Sequence, residues 1–502
     1  MLTNGVLNKN GYLLTLTFTV LLMAFIATLL LSETYYYLIA IIIIACLGLT
    51  TLFIILKSNI INVLLLLIGV CLTFNIEFSI ASTFREGGLP SSAVVNQYLI
   101  YSLIFFFFIF KGGIVHNKLF NQLLFLLVAM SGITLISLLF AENKIGAFYL
   151  LERHLFLLVL FVGIVRFSTV ANYKYLIFGF SISIIFQLFI SIIQNRTGQA
   201  LGLYVLGESY EPFRKGVAAA EQGVSGTLGH PGSLGLFLVF AYPILMTYLI
   251  RSFVNKEWKT FLFLIVANLS LFVLVILTDA RTSILLIIVS TILIMLFYYI
   301  RYLVKHRLKR SNFLSHYFIV MFLPIIIVFL LIIMIISQQE RFLNSDFIRQ
   351  FYDRMNISNF SWDYIITGSI KNFMIGVGPN NYVDYLKHFG QGEFLYEHPV
   401  HNYYLLIFSE NGILYLISFL FFFFILLKKI VSMIKILESS YYHIYIGAIA
   451  STIVMLLYNF TGWSFSHNQI QYFIFIQLAL VVSLIAEEDR LLGIKNMDVA
   501  KK

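Results

Sequence analysis

The stretch RTSILLIIVSTILIMLFYYIRYLVKHRLKR, residues 281–310, decides the fold. Between Arg281 and Arg301 runs an apolar segment without a charge, and a hydrocarbon core of about 30 Å needs roughly 20 such residues wound as a helix. Charge brackets the segment unequally, with Arg281 before it and the cluster RYLVKHRLKR (301–310) after it. Basic loops stay on the cytoplasmic side, so the segment predicts a membrane-spanning helix with 301–310 inside and Arg281 outside.

The same pattern recurs outward from this segment. Of 502 residues, 60% are hydrophobic and 11% charged, too little polar surface to cover a soluble particle of this size. About fourteen runs are long enough to span a bilayer, among them 12–31, 36–56, 60–80, 119–140, 154–170, 282–300, 315–336 and 402–427. The expected fold class is all-α: a polytopic membrane protein with about 14 transmembrane helices and two long outer loops. The first run lacks a small-residue cleavage site and reads as a retained helix. Lys57, Lys111, Lys118, Arg251, Lys256, Lys259, Lys428, Lys429 and 301–310 fall on alternate loops, which predicts cytoplasmic termini. The short loops of the other side carry only Arg85, Lys144, Arg153 and Arg281.

Residues 1–502 thus read as a single integral membrane domain. The long outer loops are 194–230 and 337–401, the second with an amphipathic helix around 346–370 fit to lie on the outer leaflet. The net charge of +10 sits mostly in cytoplasmic loops, where membrane lipids with anionic headgroups account for it, and no nucleic acid is expected as a partner. Cys46 and Cys71 both fall in predicted spans, which leaves neither a disulfide framework nor a metal quartet. Asn75 and Glu77 read as polar groups within the third span, and Trp463, His467 and Asn468 as a short outer turn without a task.

Function is expected in the polar interruptions. Arg281, in TDARTS, places a permanent cation at a span mouth, and its guanidinium fork suits either snorkelling to headgroups or two-pronged grip on phosphate. Arg214 and Arg354, in the two outer loops, are further phosphate candidates. His401 stands at the mouth of the span after 337–401; an imidazole with an unperturbed pKa near 6.5 suits proton transfer from a hydroxyl near neutral pH. Its plainer reading is an interfacial residue that caps the next helix together with Asn402. Pro399 spoils any helical pairing of His398 with His401, so zinc is not expected. Glu221 and His230 flank GVSGTLGHPGS, whose glycines would let backbone amides approach an anion. GVGPNNY (376–382), with Asn380, reads as a tight turn.

Three of these segments, in this order and topology, resemble the O-antigen ligase and Wzy-type polysaccharide polymerase superfamily. GTLGHPGSLGLFL (226–238) resembles its Gly-rich segment entering a span, and TDARTSILL (278–286) its Ser-Arg element, with Ala280 in place of the serine. GVGPNNY, then His401-Asn402 and Gly412, resembles its G-x-G and H-N-x9-G signature. Past Gly412 the chain reads GILYLISF where ligases often carry another glycine and paired threonines, which favours a polymerase. The resemblance implies a GT-C-like glycosyltransferase of the bacterial cytoplasmic membrane with its active site on the outer face. It would act on undecaprenyl-pyrophosphate-linked glycan, without cofactor or metal, and with inversion. A chain-length regulator would be a further partner. In that reading Arg281, Arg214 and Arg354 bind the pyrophosphate, His401 acts on the acceptor hydroxyl with Glu221 as the alternative base, and His230, Asn402 and Asn380 contact substrate. Transfer of finished glycan by a ligase, and translocation by a lipid-linked oligosaccharide flippase, are the competing readings.

Overall fold

The computed structural model describes residues 60–81, 93–96, 101–102, 105–106, 117–168, 172–209, 223–306, 345–387, 399–436, 441–466 and 468–500. The expected spans at 12–31, 36–56 and 315–336 lie outside these residues. In chain order the elements are α1 (Ile60–Cys71), β1 (Glu77–Ala81), β2 (Ala93–Asn96), α2 (Lys118–Leu138), α3 (Lys144–Phe167), α4 (Tyr173–Thr197), α5 (Pro231–Val254) and α6 (Trp258–Thr278). There follow α7 (Arg281–His306), α8 (Ser345–Phe360), α9 (Ile370–Ile375), α10 (Tyr382–Lys387), α11 (Tyr403–Lys435), α12 (Tyr442–Tyr458) and α13 (Asn468–Ala500).

Among the described residues, α2 to α7, α11 and α13 are the eight helices long and apolar enough to cross a membrane; α1 and α12 are shorter apolar helices. The chain is an integral membrane protein. Helix α5 is apolar on all sides and its spanning segment is entirely buried, which makes it the axis of the bundle. It meets α12 closely: a Cβ on Gly447 would come within 2.3 Å of Thr247 Oγ1, and Ser451 Oγ donates to the Phe240 carbonyl at 2.9 Å. Small residues let α1 and α4 touch in the same manner, since a Cβ on Gly179 would lie 2.3 Å from the Leu66 carbonyl. Large apolar side chains such as Phe125, Leu262, Leu285 and Phe424 point outward, as lipid contact requires.

Two sequence expectations are corrected. The span expected at 60–80 ends at Cys71, and residues from Glu77 pair with Ala93–Asn96 in a short antiparallel hairpin. Polar Asn75 interrupts the apolar run, its N–H bonding to the Leu206 carbonyl at 2.9 Å, so the chain has left the helix before Asn75 and Glu77 belongs to the hairpin and not to a span. The span expected at 154–170 begins instead at Lys144, because Asn143 caps it, its side chain accepting from the Gly146 N–H at 2.9 Å. Arg153 is therefore not a loop residue; it lies inside α3 and is 4% exposed.

The hydrogen bonds sort the helix ends into two sets. At one end Lys429 pairs with Asp489 at 2.9 Å, Asp489 accepts from Asn117, Arg301 donates to the Ile434 carbonyl at 2.7 Å, and Arg251 bridges to Glu257 at 3.6 Å. Lys118, Lys256, Lys259, Lys428 and Lys435 join this basic end. At the other, the connector end, are found the starts of α3, α5, α7, α11 and α13 and the finishes of α1, α2, α4, α6 and α12.

Candidate active site

The three motif segments all lie at the connector end. Gln187 and Gln194 of α4 pin the first: Thr227 N–H and Gly226 N–H each donate to a glutamine side chain at 3.0 Å, and Gln187 Nε2 donates to Thr227 Oγ1 at 2.6 Å. Glu208, 4% exposed, holds the preceding turn by accepting from Gln194 at 2.7 Å, Leu201 N–H at 2.8 Å and Leu203 N–H at 2.7 Å. The pinned segment runs along the turn between α6 and α7. Val224 N–H donates to the Leu277 carbonyl at 3.0 Å, and a Cβ on Gly223 would meet the Thr278 carbonyl at 2.2 Å. Arg281, half-buried, is the first residue of α7 and so stands beside this segment.

His230 ends the segment as the N-cap of α5, its Nδ1 accepting from Gly232 N–H at 3.0 Å with the ring exposed. Its imidazole is thus partly committed to the helix start. Because α12 runs antiparallel to α5, the finish of α12 rises beside His230, and Asn459 there accepts from the Tyr403 N–H at 2.8 Å. His401 follows directly. The imidazole is half-buried and packs on the Trp463 indole with ring centroids 4.6 Å apart, while Trp463 Nε1 donates to the Val400 carbonyl at 2.7 Å. Asn402 is the N-cap of α11, accepting from Tyr404 N–H at 3.0 Å and Leu405 N–H at 3.2 Å. That is a structural duty.

The third motif explains its own glycines. Helix α11 is broken at Gly412, whose φ of 76° and ψ of 179° belong almost only to glycine. Into the break comes the segment after α9: Val377 N–H donates to the Ser409 carbonyl at 2.9 Å and Gly378 N–H to the Glu410 carbonyl at 3.0 Å. A Cβ on Gly376 would stand 2.2 Å from the Glu410 carbonyl carbon, and one on Gly412 2.2 Å from the Met374 oxygen. Asn380, buried with φ 54°, turns inward and donates to the Gly146 carbonyl at 3.5 Å, so its amide docks the loop on α3.

The second connector rises from this junction. Helix α8 carries exposed Arg354, Met355 and Tyr352 and buried Ile357, then passes into a π-helical turn over Ser361–Ile366. Such turns are frequent at functional sites. Ser361 bonds the Tyr382 hydroxyl, and Trp362 packs edge-on against Phe408 at 6.2 Å, which fastens the turn over α11. Burial first, and then the nearby Glu410 carboxylate, raise the Tyr382 phenol above its usual range, against the lowering effect of the Ser361 bond. Arg354, exposed on α8, stands at the same connector end as Tyr458, the last residue of α12. His401 and Trp463 pack together and Tyr458 lies beside the adjoining Gly462, while Arg354 and Arg281 stand at the same end of the bundle. Arg214 and Glu221 lie outside the described residues.

The sequence reading missed Trp463, Glu410 and Arg153. The signal for Arg153 was present in Glu152-Arg153-His154, three ionisable residues inside an apolar run, where such residues are costly and seldom idle. Trp463 does lie in the turn before α13, as expected, but its task is hidden from the sequence because its partner, Val400, is remote.

No curated protein matches the chain. A family model described as O-antigen ligase matches residues 265–420, the segment that holds Arg281, Arg354, Asn380, His401, Asn402 and Gly412, and over that segment the resemblance of this chain to the O-antigen ligase family is shown.

Proposed function

We propose that this membrane protein polymerises undecaprenyl-pyrophosphate-linked oligosaccharide repeat units into a surface polysaccharide. The observation that carries the reading is that His401, Arg354 and Arg281 all lie at the end of the bundle opposite its lysine-rich end, within the segment that matches a glycan-processing family. The basic end is taken as cytoplasmic by the positive-inside rule, which puts the connectors on the outer face.

In this reading Arg281 and Arg354, with Arg214, neutralise charge as it grows on the departing pyrophosphate, a stabilisation aimed at the transition state. His401 accepts the proton of the acceptor hydroxyl, and that oxygen attacks the anomeric carbon from the face opposite the leaving group, inverting it. Glu221 is the alternative base. Trp463 holds the imidazole at one angle, and the α8 connector covers the lipid-linked substrates and excludes water. Asn402 and Asn380, given their helix-capping and loop-docking bonds, contribute through the backbone they hold. Membrane lipids surround the spans, and a chain-length regulator is a natural partner for such an enzyme.

The family description favours a second reading, transfer of finished glycan to a lipid, wall or protein acceptor by a ligase. Purified protein in liposomes with lipid-linked repeat units tests both. A polymerase yields a ladder of chain lengths that Arg281→Ala and His401→Ala abolish; a ligase yields one transfer step when an acceptor is added. Translocation of the lipid-linked glycan without a new glycosidic bond would favour the flippase and overturn both.

A further inference from the structure

Arg153 is a permanent cation about 13 Å along the α3 axis from Lys144, at 1.5 Å per residue, in a helix that otherwise serves the membrane interior. It is 4% exposed. Its Nη2 donates to the Phe465 carbonyl at 2.6 Å and its Nε to Gln471 Oε1. These acceptors belong to two elements: the helical turn Ser464–Ser466 and the first turns of α13. A guanidinium is suited to this because its donors are fixed in a planar fork that can hold two acceptors at a set angle.

The turn that Arg153 grips is continuous with the platform under His401. Phe465 stacks on Tyr403 with centroids 5.3 Å apart and planes 29° apart. Ser464 N–H donates to Asn459 Oδ1 at 3.3 Å, while the Asn459 carbonyl accepts from Tyr403 N–H at 2.8 Å. Trp463, one residue further back, bonds Val400 and packs on His401. Residues 459–465 and 400–403 are thus one interlocked unit, and the guanidinium fastens it from below to α3 and α13.

We propose that Arg153 is a positioning residue for His401, fixing the Trp463 platform on which the imidazole rests. It touches no substrate in this scheme, and the proposal rests on the role given to His401 above. Two measurements keep that dependence visible. In the full-length protein with Trp258→Phe and Trp362→Phe, the remaining indole of the chain's three is Trp463, so its emission reports the platform directly. Arg153→Met is expected to shift that emission to longer wavelength and raise its quenching by acrylamide. In the otherwise unaltered protein, Arg153→Met is expected to lower kcat by about tenfold to a hundredfold with KM for the lipid-linked donor within about twofold. Arg153→Lys, which keeps the charge but not the fork, should restore part of kcat, and Gln471→Leu, which removes one acceptor, should move both readouts less in the same direction. Unaltered Trp463 emission in Arg153→Met, or a loss carried wholly by KM, overturns the proposal. If Arg153→Met does not insert, Gln471→Leu and Arg153→Lys decide by the same criteria. If the unaltered protein forms no glycosidic bond, the proposed function fails, while the emission arm still judges the platform.

Discussion

Gly412→Ala should unlatch the second connector from the bundle. The methyl group would have to occupy a point 2.2 Å from the Met374 oxygen, 2.3 Å from its carbonyl carbon and 2.4 Å from the Ile375 nitrogen, all backbone atoms that cannot rotate aside. Ordinary contact begins near 3.4 Å, so the 374–378 segment must withdraw by about 1 Å. Withdrawal lengthens the Val377–Ser409 and Gly378–Glu410 bonds, now 2.9 and 3.0 Å, beyond hydrogen-bond range. Each of the two buried N–H groups left unsatisfied costs about 1–3 kcal/mol, and the φ of 76° adds about 1–3 kcal/mol for a residue with a side chain. The loss is therefore about 3–9 kcal/mol, borne locally by the latch. Hydrogen exchange of the Val377 and Gly378 amides in nanodiscs measures it, with Gly132→Ala as control because a Cβ there meets nothing within 4 Å. Equal protection of both amides in Gly412→Ala and in the control would refute the reasoning.

Further outcomes follow from other contacts. Glu208→Ala strips the half-buried N–H groups of Leu201 and Leu203 of their acceptor, at about 1 kcal/mol each, and should lower the thermal midpoint of the purified protein. An unchanged midpoint would mean that water replaces the carboxylate. Tyr382 keeps its proton above the ordinary phenol range when folded, so the folded state binds more protons than the unfolded one once pH exceeds about 10, and its stability falls as pH rises from there. Tyr382→Phe should flatten that alkaline loss, measured as unfolding midpoint against pH between about 9 and 11. His401→Ala should reduce chain extension by about a hundredfold to ten-thousandfold, as loss of a general base does, with membrane insertion intact; full activity would remove the imidazole from the chemistry.

Much of the architecture was legible because lipid imposes a simple demand: a spanning helix is apolar for its whole length, and α7 between Arg281 and Arg301 shows it without ambiguity. The motif glycines were legible as unusual backbone, though not as the reason two remote segments meet. Gly376 and Gly412 are far apart in sequence, and only the fold shows that each makes room for the other's chain. Asn402 and His230 illustrate a different limit. Polar residues at a helix mouth serve capping and chemistry with the same atoms, and spacing alone does not separate the two uses. Arg153 was misplaced because hydropathy starts a span where the apolar run starts, whereas the helix starts at its cap, Asn143.

The latch between the connector and α11 is made by peptide groups, and peptide groups are blind to the side chains they carry. Exposed residues of α8 such as Tyr352, Arg354 and Met355 can be exchanged and the same joint still closes, provided the glycines at 376, 378 and 412 and the side-chain ties of Ser361, Trp362 and Asn380 stay. On the proposed function, recognition is in this sense interchangeable, like a tool head on a fixed socket, and the surface of the connector can diversify without the membrane portion having to be reinvented.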